Sequence, residues 1–348
     1  MGSSTLWKRI GIGAGIAIPV LVLIGIIGFL PPLLTAAQRQ EIAGTPADHG
    51  IAYEEVTLTT SDGVNIRGWW MPDATPPGID DFTGEVIDTQ GVIVFVHGAN
   101  SNRAASFVNG YPLFKTLTNM RHHVLTIDLR NAGLSDAWGS EKLDWGEAEA
   151  LDVLAAIDYA YERGKGEPII PFGVSMGGAA VINAAVQDKR IRGLVLLDPM
   201  LDTYDTMVHG TVAGTGFPKA LAHVTTTAAG LLHGAPAFSE TALDRAKPYD
   251  RPTLLLQDEK DPVNRTIHAQ ALAEANRNID LWIAPHPAED HPRLASAGLW
   301  GTHVAAFELY PDEVTALLQA YLTMVHAICD AEDAEAELAA SANAATAN

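Results

Sequence analysis

One serine of this sequence lies in a pattern that can support nucleophilic catalysis. The motif GVSMG places Ser175 between Gly173 and Gly177, after an apolar run that predicts a strand and before a small-residue stretch that predicts a helix. Glycines two positions before and after the serine allow a tight strand-to-helix turn, which exposes the hydroxyl to a general base. In such a turn the amide of Met176 is directed at the position where an oxyanion forms. The pattern therefore predicts acyl transfer through a serine nucleophile.

A second oxyanion donor is expected from the loop after an earlier central strand. The sequence HGAN follows the apolar run GVIVFV directly, which makes the amide of Ala99 the natural candidate. Because a backbone donor needs no particular side chain, this assignment depends on position alone. His97, in the same loop, is interpreted as a packed structural residue rather than as the catalytic base.

These residues require a framework of strands that alternate with helices. Apolar and β-branched runs predict the strands, at residues 51–60, 64–71, 91–96, 124–129, 169–174, 193–197, 253–257 and 281–284. Helical periodicity predicts helices at residues 145–163, from residue 177 onward and at residues 311–328. Residues 71–90 are expected to form a loop. The alternation predicts an α/β fold with a mostly parallel central sheet, helices on both faces and a leading antiparallel hairpin.

The order of these motifs resembles that of the α/β-hydrolase superfamily. The hairpin, the His-Gly loop, the segment DLRNAGLS at residues 128–135, the serine turn and a late aspartate and histidine follow one another as they do in that family. The likeness covers residues 53–328 and is greatest to the esterase and serine-peptidase-like branch with short caps. That branch usually has D-x-R-G-x-G-x-S in the aspartate segment. Asn131-Ala132 is a departure that affects loop shape more than chemistry.

The resemblance implies which acid completes a catalytic triad. The segment QDEKDPV at residues 257–263 is similar to the family's G-x-x-D-x-x-V pattern, which makes Asp261 the triad acid. Asp258 is the alternative within the same loop, and Asp198, which follows the preceding strand, is a third candidate. The sequence Asn264-Arg265-Thr266 matches a glycosylation sequon, but a bulky glycan is not expected beside the acid.

Three histidines follow the last predicted strand and are candidates for the general base. The segment THVAAFELYP at residues 302–311 resembles the histidine loop of the family, which favours His303. His303 lies 17 residues beyond His286, whereas the family usually reaches its histidine soon after the strand. His286 and His291 are interpreted as part of an insertion at the rim of the site. Their spacing imitates a metal motif, but the neighbouring prolines oppose the helix that such a motif needs, so no metal site is expected.

A long apolar segment lies near the N-terminus. Residues 10–30 contain no charged side chain, and as a helix they would span roughly 31 Å, close to the hydrocarbon thickness of a bilayer. Lys8 and Arg9 precede the segment, which predicts a cytoplasmic N-terminus at residues 1–9. We expect a transmembrane signal anchor at residues 10–34, with the catalytic domain outside the cytoplasm on the cell membrane. A cleaved signal peptide and a buried core helix are the alternatives.

The rest of the chain is divided by composition. Residues 35–52 connect the anchor to the hydrolase domain at residues 53–328. Within that domain, residues 202–248 have weak periodicity and are expected to form a small cap over the carboxyl edge of the sheet. Residues 329–348 contain five carboxylates, no Lys or Arg and mostly Ala, which predicts a disordered tail.

The overall composition excludes several classes of function. The chain has 348 residues, with 22 Lys and Arg against 42 Asp and Glu, and a formal net charge of −20. Nucleic-acid binders depend on clusters of Lys and Arg, so no nucleic-acid partner is expected. The single cysteine, Cys329, excludes an intramolecular disulfide and any cysteine-cluster metal site.

Together these features predict a serine hydrolase without a cofactor or a metal. The resemblance implies that His303 takes the proton of Ser175, that Asp261 orients the imidazole, and that water releases the acyl group from an acyl-enzyme intermediate. A small-molecule carboxylic ester is the expected substrate. A peptide or a thioester is the alternative, since one such site serves all acyl transfers. The contrasting hypothesis is a catalytically inactive, membrane-tethered binding module, and the oligomeric state stays open.

Overall fold

A mixed β-sheet forms the centre of the molecule. The computed structural model describes residue 21 and residues 24–74, 78–79, 86–87 and 90–346. The strands of these residues are β1 (Glu54–Thr59), β2 (Asn65–Met71), β3 (Gly78–Ile79), β4 (Val86–Ile87), β5 (Gly91–Val96), β6 (His122–Ile127), β7 (Ile169–Val174), β8 (Leu194–Leu197), β9 (Thr253–Asp258) and β10 (Ile279–Ala284). The sheet has the order β1-β2-β6-β5-β7-β8-β9-β10, and β3 pairs only with β4. The β1–β2 and β2–β6 pairs are antiparallel and the other pairs of the sheet are parallel, which confirms the predicted architecture with its leading hairpin.

Helices cover both faces of the sheet. Those of the described residues are α1 (Ile24–Thr35), α2 (Gly110–Asn119), α3 (Glu149–Arg163), α4 (Met176–Ala185), α5 (Thr203–Thr215), α6 (Lys219–His233), α7 (Ala242–Ala246), α8 (Thr266–Ala275), α9 (Pro292–Ala297), α10 (Ala306–Leu309) and α11 (Pro311–Thr346). The side chains of β5 alternate between two apolar cores. Val92, Val94 and Val96 pack with α3 and α4 on one face, and Ile93 and Phe95 pack with α2 and α11 on the other. Because β5 and β7 lie in the middle of the sheet, they are buried along their whole length.

The helix α3 begins at Glu149, later than the predicted start at residue 145. Trp145 and Gly146 have left-handed φ values of 53° and 91°, which end any helical path through them. The carboxylate of Glu149 accepts the N–H groups of Asp144 and Gly146, both at 2.9 Å. A side chain of the first helical turn therefore satisfies N–H groups of the turn that precedes the helix.

Residues 202–248 contain three helices, α5, α6 and α7, where the sequence has weak periodicity. The first of them is joined to the loop after β9. Arg265 forms an ion pair with Asp205 at 2.7 Å, and the hydroxyl of Thr206 donates to the Asn264 side chain at 2.6 Å. These contacts place the cap at the carboxyl end of the sheet. In the loop predicted at residues 71–90, β3 and β4 form a short hairpin, and most of residues 75–89 lies outside the described residues.

The C-terminal segment is helical where the sequence analysis predicts disorder. Helix α11 continues to Thr346, although its side chains from residue 330 to residue 343 are exposed. Alanine has the highest intrinsic helix propensity, so an alanine-rich stretch can extend an established helix without packing against a core. The low hydrophobicity of the tail therefore indicates that it does not join the core, but it does not exclude helical structure.

One helix among the described residues, Pro311–Asn343, is long and apolar enough to cross a membrane by length and composition. Its apolar side chains Val314, Leu318, Leu322 and Val325 are buried in the core against the sheet, which accounts for that composition. The anchor predicted at residues 10–34 lies largely outside the described residues. Its described end is the apolar helix α1.

Helix α4 packs against the sheet so closely that side chains are excluded from the contact. A β-carbon on Gly177 would lie 2.4 Å from the carbonyl oxygen of Val96 and 2.5 Å from that of His97. A β-carbon on Gly173 would lie 2.6 Å from the carbonyl oxygen of Gly177. Both glycines of the serine motif are therefore required by lack of space.

We expect Gly177→Ala to destabilise the protein. The added carbon must push α4 away from the carbonyls of Val96 and His97, so the free energy of unfolding should fall by about 1–3 kcal/mol. Denaturant unfolding followed by circular dichroism measures this change.

Gly210→Ala is the matched control, because Gly210 is also helical and its added β-carbon would meet only a side-chain carbon of Val263, at 3.8 Å. That variant should keep its stability or gain up to about 1 kcal/mol. Equal unfolding free energies for the two variants would show that space at Gly177 is not limiting.

Candidate active site

Ser175 lies at the turn between β7 and α4. Its backbone has φ 52° and ψ −118°, a conformation that residues with a side chain rarely adopt. The N–H of Ser175 donates to the carbonyl of Leu197 at 3.0 Å, and the carbonyl of Ser175 accepts from the N–H of Met200 at 2.9 Å. Hydrogen bonds to β8 and to the residues that follow it thus hold the turn. The side chain is 9% exposed, so its surroundings are largely free of water.

His303 and Asp261 form a hydrogen-bonded chain with Ser175. His303 Nε2 lies 3.1 Å from Ser175 Oγ, and His303 Nδ1 lies 2.8 Å from Asp261 Oδ2. With the proton on Nδ1, where it is donated to the carboxylate, Nε2 is free to accept the proton of the hydroxyl. The second oxygen of Asp261 accepts the N–H groups of Val263 and Asn264 at 2.7 and 3.0 Å, which fixes the carboxylate. The structure thus brings together the three residues predicted as nucleophile, base and acid.

Met176 and the loop that carries Ala99, the two predicted sources of oxyanion donors, lie beside Ser175. Met176 is the first residue of α4, so its N–H has no acceptor within the helix. The strands β5 and β7 are parallel neighbours, which brings the loop after β5 next to the serine turn. A β-carbon on Gly98 would lie 3.1 Å from Cβ of Ser175, so the loop that carries Ala99 contacts the nucleophile closely.

His97 is held as a structural residue, as the sequence analysis favours. Its Nε2 accepts the N–H of Leu129 at 3.1 Å, which places the ring proton on Nδ1, 2.7 Å from the carbonyl of Gly98. Burial lowers the pKa of His97 below its usual value. The ring is therefore neutral and links the loop after β5 to the loop after β6.

Asp198, the third candidate for the acid, has a structural role that the sequence analysis does not predict. It is fully buried, and its two carboxylate oxygens accept the N–H groups of Asp258 at 2.6 Å and of Val304 at 2.7 Å. Burial and the nearby carboxylates of Asp261 and Asp258 raise its pKa well above the usual range, against the effect of the two backbone donors. Asp198 therefore joins the acid loop to the residue that follows His303. Its place directly after β8, beside β7, was the available signal.

Asn264 also belongs to the site, although the sequence analysis names it only as part of a sequon. Its side-chain nitrogen donates to the carbonyl of Asp198 at 2.7 Å and lies 3.4 Å from Ser175 Oγ. Its side-chain oxygen accepts from Thr206 of the cap. The side chain is almost fully buried, so the sequon to which it belongs cannot carry a glycan in the folded chain.

The other two histidines lie outside this hydrogen-bonded chain. His291 caps the short helix α9 through an N–H···Nδ1 bond from Arg293 at 3.2 Å, and the N–H of His286 donates to Glu259 at 3.2 Å. Helix α9 and a 3₁₀ turn at Gly298–Trp300 occupy the extra length before His303. The long spacing is therefore a helical insertion that leaves His303 at its position.

Among the described residues, one cluster has ligand atoms close enough to hold a metal ion. It consists of Asp198, Asp261 and His303. Their atoms lie within 4.8 Å of one another. Both carboxylates accept backbone N–H groups, and both ring nitrogens of His303 face Asp261 and Ser175. Hydrogen bonding thus accounts for the cluster.

Comparison with known proteins gives a family and a fold. The sequence model of the alpha/beta hydrolase family matches residues 93–346. The uncharacterized protein YfhR of Escherichia coli K12 is 28% identical over 170 residues, which are 47% of this chain and 53% of YfhR. The thiohydrolase aneE of Aspergillus aculeatus is 27% identical over 153 residues, 43% of this chain and 42% of that protein. The chain thus matches about half the length of these curated relatives.

Solved structures agree with this family at the level of the fold. The esterase Pf2001 of Pyrococcus furiosus has a TM-score of 0.63 and 21% identity, covering 83% of this chain and 98% of its own. Est1E of Butyrivibrio proteoclasticus, solved with ferulic acid bound, has a TM-score of 0.53 and 17% identity, covering 77% of this chain and 99% of its own.

We expect Asp198→Asn to slow the chemistry of Ser175. Asparagine keeps one acceptor oxygen but turns an NH₂ group toward the second backbone N–H, so the loop that carries His303 must shift. Misplacement of a base by about 1 Å costs on the order of 100-fold, and we expect a loss of about 10- to 100-fold in the rate of labelling by a fluorophosphonate.

The control for this change is Asp280→Asn on the exposed face of β10, which should label at the wild-type rate. Thermal unfolding of each variant shows whether it is folded. A folded Asp198→Asn protein that labels as fast as wild type would contradict the positioning role.

Proposed function

The chain belongs to the alpha/beta hydrolase family, and from that membership we propose that it is a serine hydrolase that cleaves carboxylic esters. The observation that carries the proposal is the hydrogen-bonded chain from Ser175 through His303 to Asp261. Its distances meet the requirement that nucleophile, base and orienting acid lie within hydrogen-bond reach before substrate binds.

The proposed reaction begins when Ser175 Oγ attacks the ester carbonyl while His303 Nε2 takes its proton. The charge on the tetrahedral oxygen is stabilised by the N–H groups of Ala99 and Met176. The same imidazole then donates its proton to the leaving alcohol, which leaves an acyl-enzyme on Ser175. Water, deprotonated by His303, releases the acid. Asp261 keeps the imidazole in the required tautomer and stabilises its charged form throughout.

A thioester is the second candidate substrate. The same attack releases a thiol in place of an alcohol, and one of the curated relatives is named a thiohydrolase. A peptide remains a further alternative for the same site. The intact hydrogen-bonded chain argues against the inactive binding module.

We further propose that the protein is anchored in the cell membrane by a single span at residues 10–34, with a cytoplasmic N-terminus and the hydrolase domain outside the cytoplasm. The uncharged apolar segment at residues 10–30 and the two basic residues before it support this proposal. The apolar composition of α1 at its described end agrees with it.

We expect Ser175→Ala to abolish covalent labelling by a fluorophosphonate and to lower the hydrolysis of p-nitrophenyl butyrate on the order of 10⁵-fold. His303→Ala should have a comparable effect, because without its base the hydroxyl is a weak nucleophile. His286→Ala and His291→Ala are matched controls and should retain wild-type turnover.

Turnover that is lost in His286→Ala or His291→Ala but kept in His303→Ala would refute the assignment of the base. Absence of labelling in the folded wild-type protein would refute the serine hydrolase itself. Paired oxygen esters and thioesters of equal acyl length, assayed over a chain-length series, then distinguish the two candidate substrates.

We expect the full chain to stay in the membrane fraction after washing with alkaline carbonate, because an apolar span of this length is not released by breaking electrostatic contacts. An integral and a peripheral membrane protein of the same cells serve as controls. Quantitative release of a shortened chain would instead indicate a cleaved signal peptide.

A further inference from the structure

The segment after α1 forms part of the rim of the active site. The N–H of Gln38 donates to the Asn100 side chain at 2.8 Å, and the Asn102 side chain donates to the two carbonyls of residues 40 and 41 at 3.2 and 3.1 Å. Asn100 and Asn102 belong to the loop after β5, which also carries Ala99. The residues that follow α1 are therefore hydrogen-bonded to the loop beside Ser175.

A second loop holds the same segment from its other side. The guanidinium of Arg39 donates to the carbonyl of Ser135 at 2.7 Å, and the N–H of Ala37 donates to the carbonyl of Glu141 at 2.9 Å. Because α1 leaves the domain through residues bonded on two sides, its direction is fixed relative to the active site.

The cap also contacts α1. His233, the last residue of α6, has Nε2 at 3.0 Å from the carbonyl oxygen of Ile27. A cavity of about 220 Å³, lined in part by Thr35, Leu143 and Ala235, lies where α1, the residue 138–144 loop and the end of α6 meet. Ile27 belongs to the apolar segment proposed to enter the bilayer. The end of α6 therefore lies on the side of the domain that the membrane would approach.

Apolar side chains are exposed on both of these helices. We call the surface that they form the α1–α6 face; its exposed members are Ile24, Phe29, Leu33, Leu231 and Leu232. The two leucines directly precede His233, so the exposed side chains of α6 adjoin those of α1 through the contact with Ile27. Exposed apolar side chains grouped in this way mark a site of interaction.

The charge distribution favours a membrane as the occupant of this face. The chain has 42 Asp and Glu, yet none lies before Glu41 or between Asp205 and Glu240. Moving a carboxylate out of water against the apolar part of a bilayer is costly, and these two stretches, which contain α1 and α6, carry none. The only charged residues of the two stretches are basic, so the rest of the chain is more negative than the net charge of −20 and is unsuited to such an approach.

We propose that the α1–α6 face rests on the lipid bilayer and that the substrate is a long-chain acyl ester drawn from that bilayer. This inference rests on the proposed serine hydrolase and its anchor. Transfer of an acyl chain from lipid to water costs about 0.8 kcal/mol per CH₂, so an entrance beside the anchor avoids a large barrier. A second copy of the chain is a less suitable occupant, because α1 itself continues toward the membrane.

The test compares two esters with the same leaving group, using the full chain reconstituted in phosphatidylcholine vesicles. p-Nitrophenyl acetate reaches the site from water, whereas p-nitrophenyl palmitate is supplied within the vesicles. In the double variant Leu231→Asp with Leu232→Asp we expect palmitate hydrolysis to fall by about tenfold or more, since two charges face the bilayer. Acetate hydrolysis should stay within about twofold of wild type, because neither residue belongs to the catalytic group.

Leu338→Asp is the matched control, since Leu338 is 71% exposed on α11 and Leu231 is 69% exposed on α6. This control should hydrolyse both esters as wild type does. Wild-type hydrolysis of palmitate by the double variant would overturn the inference and leave the serine hydrolase intact. Failure of wild-type protein to hydrolyse either ester or to react with a fluorophosphonate would instead refute the proposed function.

A measurement without turnover tests the membrane contact by itself. A nitrobenzoxadiazole fluorophore on Leu231→Cys should be quenched by nitroxide-labelled phosphatidylcholine in the vesicles, whereas the same fluorophore on Leu338→Cys should not. The native Cys329 is buried, which limits labelling at that position. Equal quenching at both positions, or crosslinking between copies at residue 231 without quenching, would overturn the proposed contact.

Discussion

The buried carboxylate of Asp198 joins the two loops on which the rest of the site depends. One oxygen binds the N–H of Asp258 in the acid loop, and the other binds the N–H of Val304, directly after His303. Without this acceptor each of the two buried N–H groups would be left unpaired, at a cost of about 1–3 kcal/mol per group. Because Asp261 and His303 come from separate loops, a shared acceptor between the loops sets the separation of these two residues. Asn264 extends this link to the nucleophile, since its amide contacts both the carbonyl of Asp198 and Ser175 Oγ.

The same site contains backbone conformations that cost free energy. Ser175, Asp198 and Val304 have positive φ values of 52°, 41° and 57°, although none is glycine. Each such residue costs on the order of 1–3 kcal/mol and persists only when its surroundings enforce it. At Ser175 the enforcing contact is the close packing of the fully buried helix α4 against the carbonyls after β5. At Val304 it is the hydrogen bond to Asp198. The strain thus lies where the reacting atoms need defined positions.

The acidic residues of the chain are unevenly distributed around this site. The cap helices α5 and α6 contain a single carboxylate, Asp205, and it is paired with Arg265. The segment from α1 to residue 41 has no carboxylate before Glu41 and is bonded to the loop beside Ser175, so a part of the chain with few acidic residues borders the candidate site. An apolar acyl group can approach through such a region without displacing water from buried charges.

The amino-acid sequence by itself determined the features that depend on neighbouring residues. Runs such as GVIVFV and IIPFGV predicted β5 and β7 with their bounds. The spacing of Gly173 and Gly177 predicted the serine turn. Both predictions succeed because strand burial and turn geometry depend on residues that are consecutive in the chain. The family resemblance selected Asp261 and His303, but the extra residues before His303 left His286 and His291 open. Only the tertiary structure places His303, and neither of the other two, in hydrogen-bond contact with Asp261 and Ser175. It alone shows how Asp198 and Asn264 connect the loops around these residues. Asp198 and Asn264 act through contacts between chain segments 60 to 106 positions apart, which no local pattern records.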